Sequence, residues 1–317
     1  MSNTILSVSH LSIGYKERPA AADVSFDLQR GEILCLVGES GCGKSTVLKA
    51  LMAAPEIKLF SGSITLEGKV ISELPIKERR KLCCNKMGIV FQTPEATFNP
   101  IRSYRKQFIE TLKSHGKYDP KSFEEQVEKA FAKVELNDWK RVLNECPFAL
   151  SGGMNQRVAL ALALLLEQEI LLCDEPTSAL DATIQLQVAK ELQRLRDTGS
   201  VTQIIVTHNL ALAHFLADHI GVMYAGRLVE FGKACDVLCS PRHPYTRSLM
   251  AAIPRLDGEM PVGLPGSPPM TGPAETGCEF HDRCPLASPG CGCREYALKP
   301  VGDDHYASCA EEKEVSA

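Results

Sequence analysis

The stretch Gly38-Glu39-Ser40-Gly41-Cys42-Gly43-Lys44-Ser45-Thr46 constrains this chain more than any other. It fits G-x-x-x-x-G-K-[ST], whose glycines let the backbone turn its N–H groups toward a phosphate. An apolar run, Glu32 to Val37, leads in and reads as a buried strand, and good helix formers, Ser45 to Ala54, lead out. Strand, glycine loop and helix is the context in which this pattern binds anions, because the helix N-terminus adds partial positive charge. In that context Lys44 reaches the β- and γ-phosphates of a nucleotide, and the Ser45 hydroxyl ligates Mg²⁺.

A chain of 317 residues has room for one large domain and a smaller one. Its net charge of −4 creates no whole-chain basic field for nucleic acid or anionic lipid. No signal-peptide pattern opens it, and the longest apolar run, Val158 to Leu166, stops at Glu167, well short of a membrane span. The expected setting is cytoplasmic, with docking on a membrane partner open. Of 13 cysteines, eight are scattered before residue 240 and read as small apolar residues. The other five, Cys278, Cys284, Cys291, Cys293 and Cys309, crowd into the tail.

Along the chain, residues 5–13 alternate as a half-buried strand ending at Gly14-Tyr15, an aromatic placed either to stack on a base or to pack. Val24 to Leu28 reads as a strand, and Ser63 to Ile71 as a hairpin turning at Glu67-Gly68. Met87 to Phe91 is a strand ending in Gln92, followed by a proline-broken loop, Thr93 to Pro100. Residues 103–145 read as helical, with Ser122 and Glu125 fitting a capping box. Leu150 to Arg157 then opens a helix in which Ser151, Gly152 and Gly153 form either an N-cap with a flexible turn or a second anion site. Glu169 to Cys173 is a buried strand feeding Asp174-Glu175, an acidic pair suited to Mg²⁺ and to polarising a water. After Ser178 to Asp181 and a helix, Gln185 to Arg196, the strand Thr202 to Thr207 ends in His208, and Ile220 to Phe231 reads as a hairpin turning at Ala225-Gly226.

In their order and spacing, the phosphate loop, Gln92, Leu150 to Arg157, Asp174-Glu175, Ser178 to Asp181 and His208 resemble the motifs of an ABC-type ATPase over nearly the whole chain. The resemblance implies an α/β fold: a P-loop NTPase (RecA-like) core with an antiparallel β subdomain and a helical subdomain. It assigns ATP and Mg²⁺ as ligands. Tyr15 would stack on adenine, and Gly38, Glu39, Ser40, Gly41, Cys42, Gly43, Lys44, Ser45 and Thr46 would cradle the phosphates. Ser45, Gln92 and Asp174 would hold the metal, Glu175 would be the catalytic base, and His208 would position the γ-phosphate. Ser151, Gly152 and Gly153 would contact ATP on the opposite subunit, with Asp181 communicating across that dimer. Met154-Asn155-Gln156 departs from the commonest signature, in which glutamine follows the two glycines directly, but is usual among peptide and nickel importers.

The tail resembles the same branch. Ser240 to Thr246 with Leu249 is similar to the segment closing the ATPase domain, and a proline- and glycine-rich linker, Pro254 to Pro273, follows. The expected division is residues 1–240 as ATPase domain, with its helical part at about 93–155, and 241–317 as a C-terminal extension with a cysteine-rich segment at 276–311. In that branch the positions of Cys278, Cys284, Cys291 and Cys309 can ligate a [4Fe–4S] cluster. Zinc and unliganded thiols remain alternatives, because spacing alone does not choose a metal. The function implied is the ATP-hydrolysing subunit of an importer for peptides, nickel or a related small solute, peripheral on the cytoplasmic face of the inner membrane. Its partners would be a second cassette arranged head to tail, two transmembrane permease subunits and an extracytoplasmic solute-binding protein, with no nucleic acid. Soluble members acting on ribosomes usually carry two cassettes, and those acting in DNA repair carry a long coiled coil; this chain shows neither. Retention of Glu175 and His208 argues against a vestigial, purely regulatory cassette, and the tail argues against an exporter.

Overall fold

Two units make up the chain in the computed structural model, residues 1–79 with 206–317 and residues 80–205. The structure describes residues 3–93, 97–178, 180–199, 201–253, 263–269, 272–274, 276–293 and 297–309. The first unit opens with β1 (Thr4–Tyr15) and β2 (Arg18–Gln29), then β3 (Ile33–Val37), helix α1 (Lys44–Leu51), β4 (Ile57–Leu66) and β5 (Lys69–Val70). Strands β2-β1-β4-β5 form an antiparallel sheet whose register sets Leu6 and Val8 opposite Leu28 and Phe26 on one side and Leu66 and Ile64 on the other. All six side chains are buried, so alternation along β1 gives this sheet its inner face. The β4–β5 turn falls at Glu67 (φ 50°) and Gly68 (φ 77°), as the hairpin reading expects.

The second unit begins partway along α2 (Ile76–Lys86), followed by β6 (Met87–Val90), α3 (Tyr104–Ser114), α4 (Phe123–Lys133) and α5 (Trp139–Asn144). Then come α6 (Gly152–Leu165), β7 (Ile170–Asp174), α7 (Ala182–Asp197) and β8 (Thr202–Thr207), the last ending in the first unit. β6 runs parallel to β7, from Met87 opposite Ile170 to Val90 opposite Cys173. The helical reading of 103–145 holds, around a core where the Phe108 and Phe131 rings lie 5.8 Å apart edge to face. The capping box does not. Ser122 is already in helical backbone (φ −103°, ψ −7°), so its hydroxyl turns back to donate to Asp119 Oδ2 at 2.7 Å and caps nothing. Helix α7 starts a turn earlier than its periodicity indicates, because Asp181 Oδ1 accepts from the N–H groups of Thr183 and Ile184, both at 3.0 Å.

The first unit resumes with α8 (Leu210–Leu216), β9 (His219–Tyr224), β10 (Arg227–Lys233), α9 (Ala234–Cys239), α10 (Pro244–Ala251), β11 (Lys299–Gly302) and β12 (His305–Ala307). β3 pairs in parallel with β9, and β9 turns into β10 through Ala225 (φ 47°) and Gly226 (φ 87°), a turn that needs positive φ at both positions. The tail then adds to the sheet. β12 pairs with β10, Glu230 facing Ala307 and Gly232 facing His305, and β11 pairs with β12. Spacing and composition gave no sign of these strands. Glu230, fully buried, accepts from the N–H groups of Arg242 (2.7 Å) and His243 (2.9 Å) and meets His305 Nε2 at 2.7 Å. Most of the Pro254–Pro273 linker lies outside the described residues, as do Pro94 to Ala96 and Ala179. Among the described residues no helix is long and apolar enough to cross a membrane.

Candidate functional site

The phosphate loop joins β3 to α1 in the first unit. Its glycines are required by space as well as by backbone conformation. A Cβ on Gly38 (φ 148°) would stand 2.1 Å from the Met223 carbonyl oxygen, and one on Gly43 (φ 100°) 2.7 Å from that of Ala20. Gly41 (φ 81°) has nothing within 4 Å of its missing Cβ, which leaves that stretch of backbone open to a close ligand. The loop is tied down from behind: Gly226 N–H donates to the Cys42 carbonyl at 3.1 Å, and Ala22 N–H to the Gly226 carbonyl at 2.8 Å. Cys42 is buried beneath the loop, and burial pushes its thiol pKa up. It packs as an apolar residue.

Lys44, 5 % exposed, donates from Nζ to the carbonyls of Gly38 and Glu39, both at 2.8 Å. Its ammonium therefore lies across the mouth of the loop, where an anion on the bare N–H groups of α1 would meet it. Ser45 and Thr46 follow in the first turn of α1, and no acidic side chain occupies that turn. A backbone open at Gly41, a helix N-terminus and a buried ammonium fit a polyphosphate. Tyr15 ends β1, 40 % exposed, with Lys49 Nζ 5.9 Å from its ring centroid. His208 follows β8 and is exposed, next to Asn209, which caps α8 by accepting from Leu212 N–H at 3.1 Å.

The second unit gathers two of its expected residues directly: Gln92, just past β6, donates from Nε2 to Glu175 Oε2 at 3.2 Å. Asp174 ends β7, and Glu175 has a φ of 46°, a left-handed conformation that a residue with a side chain rarely adopts. Ser178 N–H returns to the Glu175 carbonyl at 3.2 Å and closes the turn. Ser151 caps α6, its Oγ accepting from Met154 N–H at 3.4 Å. Gly152 has open space where a side chain would be, so that helix tip is bare, whereas a Cβ on Gly153 would press within 2.9 Å of Ile184. Asp181 is spent on the α7 cap.

The four tail positions do not converge on a metal site. Among the described residues no group of three or more His, Cys, Asp or Glu side chains is placed to hold an ion. Cys278 N–H donates to the Cys291 carbonyl at 2.9 Å, and Cys291 Sγ lies 3.3 Å from Ser288 Oγ. Burial pushes the Cys278 thiol up to about 11, which keeps it protonated, whereas a metal needs the thiolate. Cys309 leaves the end of β12, where Ser308 N–H is bonded to the Val229 carbonyl at 2.9 Å. What the tail does reach is the phosphate loop. Arg283 pairs with both oxygens of Glu39, and Tyr245 OH accepts from the Glu39 N–H. Neither residue was a sequence candidate, since partners 244 and 206 residues apart leave no local pattern.

Two family models match the chain: "ABC transporter" over residues 21–178 and "Oligopeptide/dipeptide transporter, C-terminal region" over 229–291. The dipeptide transport ATP-binding protein DppD of Bacillus subtilis is 36% identical over 96% of this chain and 94% of its own. The oligopeptide transport ATP-binding protein OppD of Haemophilus influenzae is 38% identical over 91% and 92%. Among solved structures, the ATP-binding cassette MJ0796, a dimer in a post-hydrolysis state bound to ADP and Pi, has a TM-score of 0.64 and 26% identity, covering 73% of this chain and 99% of that one. CbiO1 from Clostridium perfringens, part of the ABC transporter complex cbiONQ, has a TM-score of 0.66 at 25% identity, covering 75% and 92%. The chain belongs to the ABC transporter family, among the ATP-binding proteins that carry the oligopeptide/dipeptide transporter C-terminal region.

Proposed function

We propose that this chain is the ATP-hydrolysing subunit of an importer that moves peptides, or a related small solute such as nickel, across the cytoplasmic membrane. The supporting observation is likeness along nearly the whole chain to dipeptide and oligopeptide transport ATP-binding proteins, joined to a phosphate loop built for a polyphosphate. The subunit sits peripherally on the cytoplasmic face, works with a second cassette, identical or paralogous, and serves two permease subunits and an extracytoplasmic binding protein. No nucleic acid is involved. Residues 1–240 act as the ATPase domain and 241–317 as its extension.

In this reading the loop N–H groups and Lys44 hold the β- and γ-phosphates, and Tyr15 stacks on adenine. Ser45, Gln92 and Asp174 hold Mg²⁺, which supplies neutralising charge to the phosphate oxygens. Glu175 takes the proton of the attacking water, with Gln92 orienting its carboxylate, and His208 hydrogen-bonds the γ-phosphate. The bare tip of α6 at Ser151, Gly152 and Gly153 meets the γ-phosphate held by the partner cassette, and Asp181, by fixing the start of α7, keeps the adjoining turn in place. Because the site is shared, ATP is the ligand that shifts an open–closed equilibrium. The finer reading of Cys278, Cys284, Cys291 and Cys309 as an iron–sulfur or zinc site rests on spacing alone, and their arrangement lends it no support. The test is Glu175→Gln in the presence of the natural partners. ATP turnover is expected to fall by about 10²-fold or more, and a dimer retaining ATP to accumulate. Unchanged turnover would remove Glu175 from its role.

A further inference from the structure

We infer that Arg283, from the C-terminal extension, is a positioning residue of the nucleotide site, holding the phosphate loop through Glu39 and cancelling that residue's charge. Glu39 is gripped at three points. Its N–H donates to Tyr245 OH at 3.0 Å, its carbonyl accepts from Lys44 Nζ at 2.8 Å, and its carboxylate takes a two-pronged contact from Arg283. In that contact Nη1 meets Oε2 at 2.7 Å and Nη2 meets Oε1 at 3.0 Å. The guanidinium is held in turn. Nε donates to the Pro265 carbonyl at 2.7 Å, Nη1 lies 3.3 Å from Tyr224 OH, and the group sits 5.7 Å over the Tyr224 ring. The Arg283 side chain is 6 % exposed, so the pair is little screened by solvent.

Beneath it Tyr224, Tyr245 and Phe280 form a closed aromatic triangle with centroids 4.5, 5.2 and 5.4 Å apart. Tyr224 ends β9, Tyr245 belongs to α10 and Phe280 to the cysteine-rich segment, so three separate stretches fix one arginine. A carboxylate at the second position of a phosphate loop would repel an incoming triphosphate. Paired with a fixed guanidinium, it instead locks the peptide whose carbonyl orients Lys44. The extension is thus part of the nucleotide site and acts on binding more than on the chemical step.

This inference rests on the loop being the ATP site, and the experiment separates the two. In full-length protein, MgATP binding and steady-state hydrolysis are measured for wild type, Arg283→Gln, Arg283→Lys and the double variant Glu39→Gln/Arg283→Gln. Arg283→Gln is expected to raise Kd and KM for ATP about tenfold while kcat falls less than about threefold, the size of a lost charge-assisted pair. Arg283→Lys, which keeps the charge without the fork, falls between. The double variant, having no bare carboxylate, returns to within about threefold of wild-type affinity. A wild-type protein that binds no MgATP would overturn the proposed function itself. Wild-type affinity in Arg283→Gln would overturn the inference alone, as would a double variant no better than the single one, which would report disturbed packing. Should Arg283→Gln fail to fold, Tyr245→Phe, which removes only the acceptor of the Glu39 N–H, carries the same expectation of a raised KM with kcat little changed.

Discussion

Glu191 offers the most quantitative test of how the second unit is held together. It lies on the buried face of α7, 4 % exposed, and among the described residues neither carboxyl oxygen has a hydrogen-bond partner. Burial pushes its pKa from 4.5 up to about 7; Arg157 opposes the shift, Glu135 adds to it, and Arg194 opposes it again. Between those two values the unfolded chain has released a proton that the native protein keeps, so stability falls as pH rises through the window. At about 1.36 kcal/mol per pKa unit the full effect is about 3 kcal/mol, of which about 2.5 kcal/mol separates about pH 5 from about pH 8.5. Glu191→Gln cannot ionise and lacks this slope. Relative to the parent it should gain about 2.5 kcal/mol across that range, roughly 5 °C in midpoint temperature. The fixed cost of burying an unpartnered amide affects both pH values alike and drops out of the comparison. Urea melts of both proteins at the two pH values measure the difference. Parallel pH profiles would refute the reasoning, because they would mean that Glu191 ionises in the native protein as readily as in the unfolded one.

His243 should shape the acid limb in the opposite sense. Burial holds its pKa down to about 4 against 6.5, with Glu230 opposing the shift and Arg247 adding to it, so the unfolded chain takes up a proton first and stability falls as pH drops from about 6.5 toward 4. His243→Asn, whose carbonyl can still accept from the Tyr245 N–H now bonded to Nδ1 at 3.1 Å, should flatten that limb in urea melts near pH 5. Asp181→Ala removes both cap bonds of α7 and should cost about 1–2 kcal/mol in denaturant unfolding, whereas Asp181→Asn should cost only a few tenths. An alanine variant as stable as the parent would show that the cap contributes nothing.

Legibility in the sequence followed locality. The strand–loop–helix at Gly38 to Thr46, the hairpin at Ala225-Gly226 and the α6 start at Ser151 were readable because each is decided by neighbours in sequence. Glu39 was visible only as a variable position of the loop. Its partners in the tail come from packing of the aromatic triangle, which no periodicity encodes. The tail itself misled: a dense run of cysteines in a weakly apolar segment reads as a metal staple, yet the segment is anchored by Arg283, by Arg227 Nε to Glu279 Oε1 at 2.7 Å, and by strand pairing at β12. Ser122 misled for a related reason. A capping pattern names residues that are able to cap, but Asp119 competes for the same hydroxyl.

The added strands bear on how such proteins can be recombined. The family boundary at residue 229 falls inside β10, and the pairing of Glu230 with Ala307 ties the two matched regions into one fabric. A chimera spliced at that seam would lay a foreign strand against β10 and leave a buried carboxylate facing a stranger in place of His305. In protein engineering the interchangeable part is therefore the cassette together with its appendage, not either one alone.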